Sequence, residues 1–103
     1  MNDQIAATAL AALGHEARLK VFRLLVRAGP DGLRVGDIGD VLGMPPSTLK
    51  HHLGQLVGAG LITQERQGRE IINRAAFDAM HTLLDYVHEE CCEGVPLSND
   101  AVA

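Results

Sequence analysis

Apolar residues recur at helical spacing along most of the chain and change to simple alternation over one short stretch. Ile5 to Leu13 is an alanine-rich run that reads as a short helix. From about Glu16 to Ala28, Leu19, Phe22, Leu25 and Val26 share one face, and Glu16, Lys20, Arg23 and Arg27 line the opposite one. Gly29-Pro30-Asp31-Gly32 closes that helix with turn chemistry. Val35, Ile38, Val41 and Leu42 mark a third, short helix that stops at Gly43. Pro45-Pro46-Ser47 opens a fourth, because a first helical turn does not need the N–H that proline lacks. It carries Leu49, Leu53, Leu56 and Val57 inward and ends at Gly58-Ala59-Gly60. Leu61 to Glu65 and Arg69 to Asn73 alternate as two strands joined at Gln67-Gly68. A last helix is expected from about Ala75 to Cys92, ahead of Gly94 and Pro96. The expected order is α-α-α-α-β-β-α, mainly α with one small β-hairpin.

A chain of 103 residues is expected to form one domain, taken here as 1–94 with a flexible C-terminal tail over 95–103. Its only aromatic residues are Phe22, Phe77 and Tyr86, so the core must be aliphatic, which favours helices packed on helices. No apolar run approaches the roughly 20 residues that span a bilayer. The segment Met1 to Leu13 lacks a positively charged start and reads as a helix, not a signal peptide. The two cysteines are neighbours and close no useful loop, so they are expected to be reduced thiols of a cytoplasmic protein that meets no membrane.

The net charge of −4 is unevenly spread. Arg18, Lys20, Arg23, Arg27 and Arg34 face one acid, Asp31, in the same stretch, and Lys50, Arg66, Arg69 and Arg74 outnumber Glu65 and Glu70. From Asp78 onward there are acids and no Lys or Arg. A basic middle with an acidic end lets one surface meet phosphate despite the negative total.

That middle holds a short helix, a glycine turn, a second helix and a cationic hairpin, the layout of a winged helix-turn-helix, whose second helix enters the major groove of DNA. On the fourth helix Ser47, Thr48, His51 and Gln55 fall on one face, with Lys50 beside them and Leu49, Leu53 and Leu56 opposite. Such side chains can reach base edges. The hairpin tip, Arg66-Gln67-Gly68-Arg69, suits a phosphate track or the minor groove. Enzyme signatures are missing: no Cys-x-x-Cys beside a βαβ unit, no hydrolytic triad, and Gly58 and Gly60 end a helix instead of opening one as a phosphate loop does. No catalytic activity is expected.

Several runs resemble the ArsR/SmtB arsenical and metal repressors. Ala12-Leu13 with Arg18-Leu19, Val35-Gly36-Asp37-Ile38 with Val41-Leu42-Gly43, Ser47 to Leu53 followed by Leu56 and Ala59-Gly60-Leu61-Ile62, and Gln67-Gly68-Arg69 are all similar to that family's motifs, over roughly Ala9 to Cys92. The resemblance implies a homodimer joined through the first and last helices, bound to palindromic double-stranded operator DNA and leaving it when an effector binds. Ala76, Met80, Leu83, Leu84 and Val87 give the last helix more apolar surface than one small domain needs.

Relatives place effector ligands differently. The Cys-x-Cys site of the third helix is absent, since Arg34 and Gly36 stand there. Asp78, His81, Asp85, His88 and Glu89 are suitable zinc-ligand types, but the family's spacings are not reproduced. Cys91-Cys92-Glu93-Gly94 resembles the C-terminal cysteine-pair site of arsenite-responsive members, which implies trivalent arsenic or antimony as effector. Thiolates select such soft acceptors. A third ligand would be water, a small thiol or a group of the other subunit. Zinc or cadmium, with His88 one turn before the pair as a further ligand, remains an alternative, as does a thiol-redox response. Cys91 also continues the apolar stripe of the last helix, so a small buried hydrophobe is a further alternative for it, though less so for Cys92, which falls on the stripe of His81 and His88. The acids Glu89, Glu90 and Glu93 are expected to raise both thiol pKa values, which disfavours a fast peroxide sensor.

Overall fold

The computed structural model describes residues 1–97. Its elements are α1 (Asp3–Leu13), α2 (Glu16–Ala28), a single 3-10 turn (Gly29–Asp31), β1 (Leu33–Arg34), α3 (Val35–Leu42), α4 (Pro46–Gly58), β2 (Ile62–Gln67), β3 (Glu70–Ala75) and α5 (Phe77–His88). The strands form one antiparallel sheet in the order β1-β3-β2. This is the expected mainly α winged helix-turn-helix, with an added strand.

Local chemistry accounts for the element boundaries. The Asn2 side chain accepts the Ile5 N–H at 2.9 Å and so caps α1. Ala6, Ala9 and Ala12 form the buried side of α1, and their small size lets it lie close to the core. Glu16 in the first turn of α2 and Arg27 in its last match the helix dipole. Gly43 ends α3 in the left-handed conformation, at φ 66°, which makes the tight step into α4. The core joins Phe22 and Leu25 of α2, Ile38 of α3, Leu49, Leu53 and Leu56 of α4, Leu61, and Leu83 of α5.

Four expectations are corrected. Leu33–Arg34 pairs with Ile72 and Asn73 as β1, so the order is not simply α-α-α-α-β-β-α; two residues are too few to show alternation. Leu19 and Val57 are exposed, and Val21 takes the buried place on α2. The hairpin strands run longer and pair Gln67 with Glu70, which makes Gly68-Arg69 the two-residue loop. Finally, α5 stops at His88, four residues short of Cys92. Asp85, Glu89, Glu90 and Glu93 crowd that end, and carboxylates are unfavourable at the negative pole of a helix. The tail expected over 95–103 lies in part outside the described residues, which end at Leu97; Val95 and Leu97 are exposed.

Candidate nucleic-acid interface and thiol pair

The inner side of α4 buries Leu49, His52, Leu53 and Leu56. Ser47, Thr48, Lys50, His51 and Gln55 are all exposed. No acidic residue occurs in the helix, so nothing on it repels phosphate. Beyond Ile62, β2 is exposed on both faces, so the hairpin projects as an arm.

The cations of that arm divide into paired and free. Arg34 of β1 pairs with Glu70 and with Asp37, the latter at 3.9 Å. Arg74 donates to Glu65 at 2.9 Å and to the Pro30 carbonyl at 2.8 Å. Among the described residues no ion pair engages Lys50, Arg66 or Arg69. Gln67 donates its side-chain amide to Glu65 at 3.0 Å, so it stands beside the two free arginines as a brace. The bonds from Gln67 and Arg74 hold the Glu65 carboxyl below its ordinary pKa. At the root of the arm, buried Asn73 accepts from Gln64 at 2.8 Å and donates to the Leu33 carbonyl at 3.2 Å, locking β1, β3 and β2 together.

Past α5 the backbone turns sharply. Glu89 is extended, and Glu90 and Cys92 adopt left-handed φ values of 64° and 65°. The Cys91 N–H donates to the His88 carbonyl at 3.1 Å. The outcome is a Cys91 Sγ to Cys92 Sγ distance of 3.1 Å, with both thiols free and exposed. Cys91 therefore does not continue the buried stripe of α5. Its thiol pKa is raised, first by the contact with Cys92 and then by desolvation, a different cause from the acidic neighbours that the sequence pointed to. His88 lies 3.8 Å from Asp85. Among the described residues no three His, Cys, Asp or Glu side chains are grouped to hold a metal ion; the cysteines stand as a pair.

The thiol loop adjoins a cleft of about 530 Å³ between α1 and α5, where Asp3, Leu10, Tyr86, Val87, Glu89 and Glu90 meet. The Tyr86 hydroxyl donates to the Asp3 carboxylate across it, which raises the phenol pKa. Ile5, Leu10, Leu84 and Val87 are exposed by 52%, 46%, 54% and 59%, a large apolar share for the two helices that flank the cleft.

One residue escaped the sequence reading. His52 is buried, with its ring centroid 5.1 Å from that of His15 and 5.7 Å from that of His51. Its helical spacing from Leu49 and Leu56 was the available signal.

A helix-turn-helix domain family matches residues 13–65, half of the chain. A protein of Halobacterium salinarum named as an arsenical resistance operon repressor, ArsR, is 38% identical over 60 residues; the match covers 58% of this chain and 46% of that relative, so the chain spans about half the relative's length. The structure of an ArsR-like transcriptional regulator from Rhodococcus sp. RHA1 superposes with a TM-score of 0.76 at 23% identity, covering 87% of this chain and 82% of that one, and speaks for the fold. The transcriptional repressor BigR from Xylella fastidiosa does so with a TM-score of 0.65 at 26% identity, over 84% of this chain and 85% of that one. These relatives carry regulator names, not enzyme names. With α3, the Gly43 turn, α4 and the hairpin in this order, the chain belongs to the helix-turn-helix domain family, and it is similar to ArsR-type winged-helix regulators in sequence and fold.

Proposed function

We propose that this chain is a cytoplasmic homodimeric transcriptional repressor that leaves operator DNA when trivalent arsenic or antimony binds Cys91 and Cys92. The observation that carries the sensing half is the 3.1 Å separation of the two sulfurs. With metal–sulfur bonds of about 2.3 Å, that bite subtends about 85° at the bound atom, whereas tetrahedral zinc needs sulfurs about 3.8 Å apart. A near-right angle suits a pyramidal acceptor with a lone pair. The donor set fits as well, since two thiols are soft ligands and, among the described residues, no third His, Cys, Asp or Glu is grouped with them. Arsenous acid, As(OH)3, condenses with two thiols to form two As–S bonds, keep one hydroxyl and release two molecules of water. A small thiol or a group of the other subunit can replace the remaining hydroxyl.

Ser47, Thr48, His51 and Gln55 of α4, with Lys50, face the major groove, and Arg66 and Arg69 follow phosphate or the minor groove. The apolar surface on α1 and α5 supports a dimer through those helices, which would set the spacing of the two α4 helices on a palindrome. One unit over 1–94 carries both tasks. The sensing loop begins three residues after Tyr86, whose hydroxyl ties α5 to Asp3 of α1, so a ligand that reshapes residues 89–93 acts on the dimerising pair. A coupling of a few kcal/mol is enough to shift such a protein from bound to free.

A thiol-redox response is the second reading, favoured by the same proximity: oxidation by hydrogen peroxide would join the sulfurs as a disulfide and release two waters. The raised Cys91 pKa keeps the attacking thiolate scarce and works against it. Zinc or cadmium with His88 would engage the Nδ1 of the ring, since Nε2 faces Asp85 at 3.8 Å. A gel-shift titration over a range of salt concentrations tests the DNA half: phosphate contacts predict a steep linear fall of log affinity with log salt, and a flat response contradicts it.

A further inference from the structure

We propose that His52 is a positioning residue for DNA binding: as a neutral ring it seats α4 against the start of α2, and a proton on it loosens the helix and weakens operator binding. The inference rests on the reading of α4 as the groove-reading helix. His52 belongs to the inner side of α4, between Leu49 and Leu56, while its neighbour His51 is exposed on the outer side. Its Nδ1 is buried and has no hydrogen-bond partner among the described residues. The groups that face the ring are His15, the residue preceding α2, Arg18 of α2, and His51 of α4 itself. Arg18 is a fixed cation, the other two neighbours are imidazole rings, and no carboxylate is among the groups that act on His52. Arg18 cannot swing aside freely, because its Nε donates to the Ala12 carbonyl of α1 at 2.8 Å.

Charging this ring therefore sets an uncompensated buried cation against Arg18 and the His15 ring, and separation of α4 from α2 relieves it. Burial and the three neighbours hold the His52 pKa below its ordinary value, so the neutral form prevails at neutral pH and the strain appears only as pH falls. Acid thus weakens binding through His52, whereas its exposed neighbour His51 has no such buried contact to lose.

The test uses the full chain and a duplex selected from a random-sequence pool, with affinity measured at constant salt at about pH 7.5 and about pH 5.5. The natural chain, His52→Gln and His51→Gln are compared. One proton changes affinity by up to about tenfold per pH unit. The loss on acidification, as the ratio of the two dissociation constants, is expected to be about tenfold larger for the natural chain than for His52→Gln, and at least as large for His51→Gln as for the natural chain. A difference under about threefold between the natural chain and His52→Gln overturns the inference. If His52→Gln does not fold, an NMR titration of the natural chain decides. Amide shifts at Gly14 to Glu16 and Ser47 to Leu49 that track the His52 ring support it, and a ring that titrates while they stay still overturns it. If no duplex is selected at either pH, the DNA reading fails instead, and the same NMR titration still decides the His52 switch.

Discussion

The Sγ atoms of Cys91 and Cys92 lie 3.1 Å apart, and the backbone that brings them together is not helical. Neighbouring side chains on a helix diverge by about 100°. Here α5 has ended at His88, and the left-handed turn at Cys92 folds its sulfur back onto that of Cys91. A left-handed conformation at a non-glycine residue costs roughly 1–2 kcal/mol, so the loop holds a geometry that a bridging ligand would reinforce.

The chemistry of binding fixes its pH dependence. Condensation of arsenous acid with two thiols releases water and no net proton, so the arsenite concentration for half-release of DNA should be nearly flat between about pH 6 and pH 8. Zinc must displace two protons, and its affinity should rise by up to about a hundredfold per pH unit. The raised Cys91 pKa extends that rise to higher pH than an ordinary thiol would. Effector titrations by fluorescence anisotropy at several pH values distinguish the two slopes.

The free arginines of the hairpin and its braced glutamine should differ on DNA. Arg66→Ala and Arg69→Ala should each weaken binding across all sequences and reduce the salt slope by about 1. Gln67→Ala, whose amide is held by Glu65, should change the slope little. Salt-dependent binding of the three variants provides the check.

The hinge of the hairpin is the Asn73 cluster. Asn73→Ala leaves the Leu33 carbonyl and the Gln64 amide without their partner and should destabilise by about 1–3 kcal/mol. Gly32→Ala should do at least as much, because its φ is 69° and an added Cβ would meet the Asn73 carbonyl oxygen at 2.4 Å. Denaturant unfolding of both variants measures this.

Tyr86→Phe removes the one side-chain hydrogen bond found between α5 and α1 among the described residues. Operator affinity without effector should change little, while the arsenite-induced loss should shrink by about tenfold, equivalent to roughly 1.4 kcal/mol of coupling. Binding curves with and without arsenite test this directly.

Much of this molecule was legible in its sequence because its helices are amphipathic and its turns carry glycine and proline. The bounds of α2 and α3 follow from Phe22, Leu25 and Ile38 with Gly29 and Gly43 behind them. β1 was not legible, since Leu33 and Arg34 are a strand only because Asn73 and Ile72 stand opposite. The end of α5 was missed because the first residue type that usually breaks a helix is Gly94, whereas what stops it is carboxylate crowding at the helix terminus. Leu19 and Val57 keep apolar periodicity yet face outward, a choice made by packing at the ends of their faces. The thiol pair could be named from sequence, but its 3.1 Å approach depends on two left-handed residues that no spacing rule encodes.

The most direct measurement is release of bound operator DNA by arsenite from the natural chain, Cys91→Ser and Cys92→Ser, with thermal unfolding as a control. Both cysteines are exposed, so each variant should fold and bind DNA as the natural chain does, while the arsenite needed for half-release should rise by at least about tenfold. Unchanged release by arsenite from both variants would contradict the account.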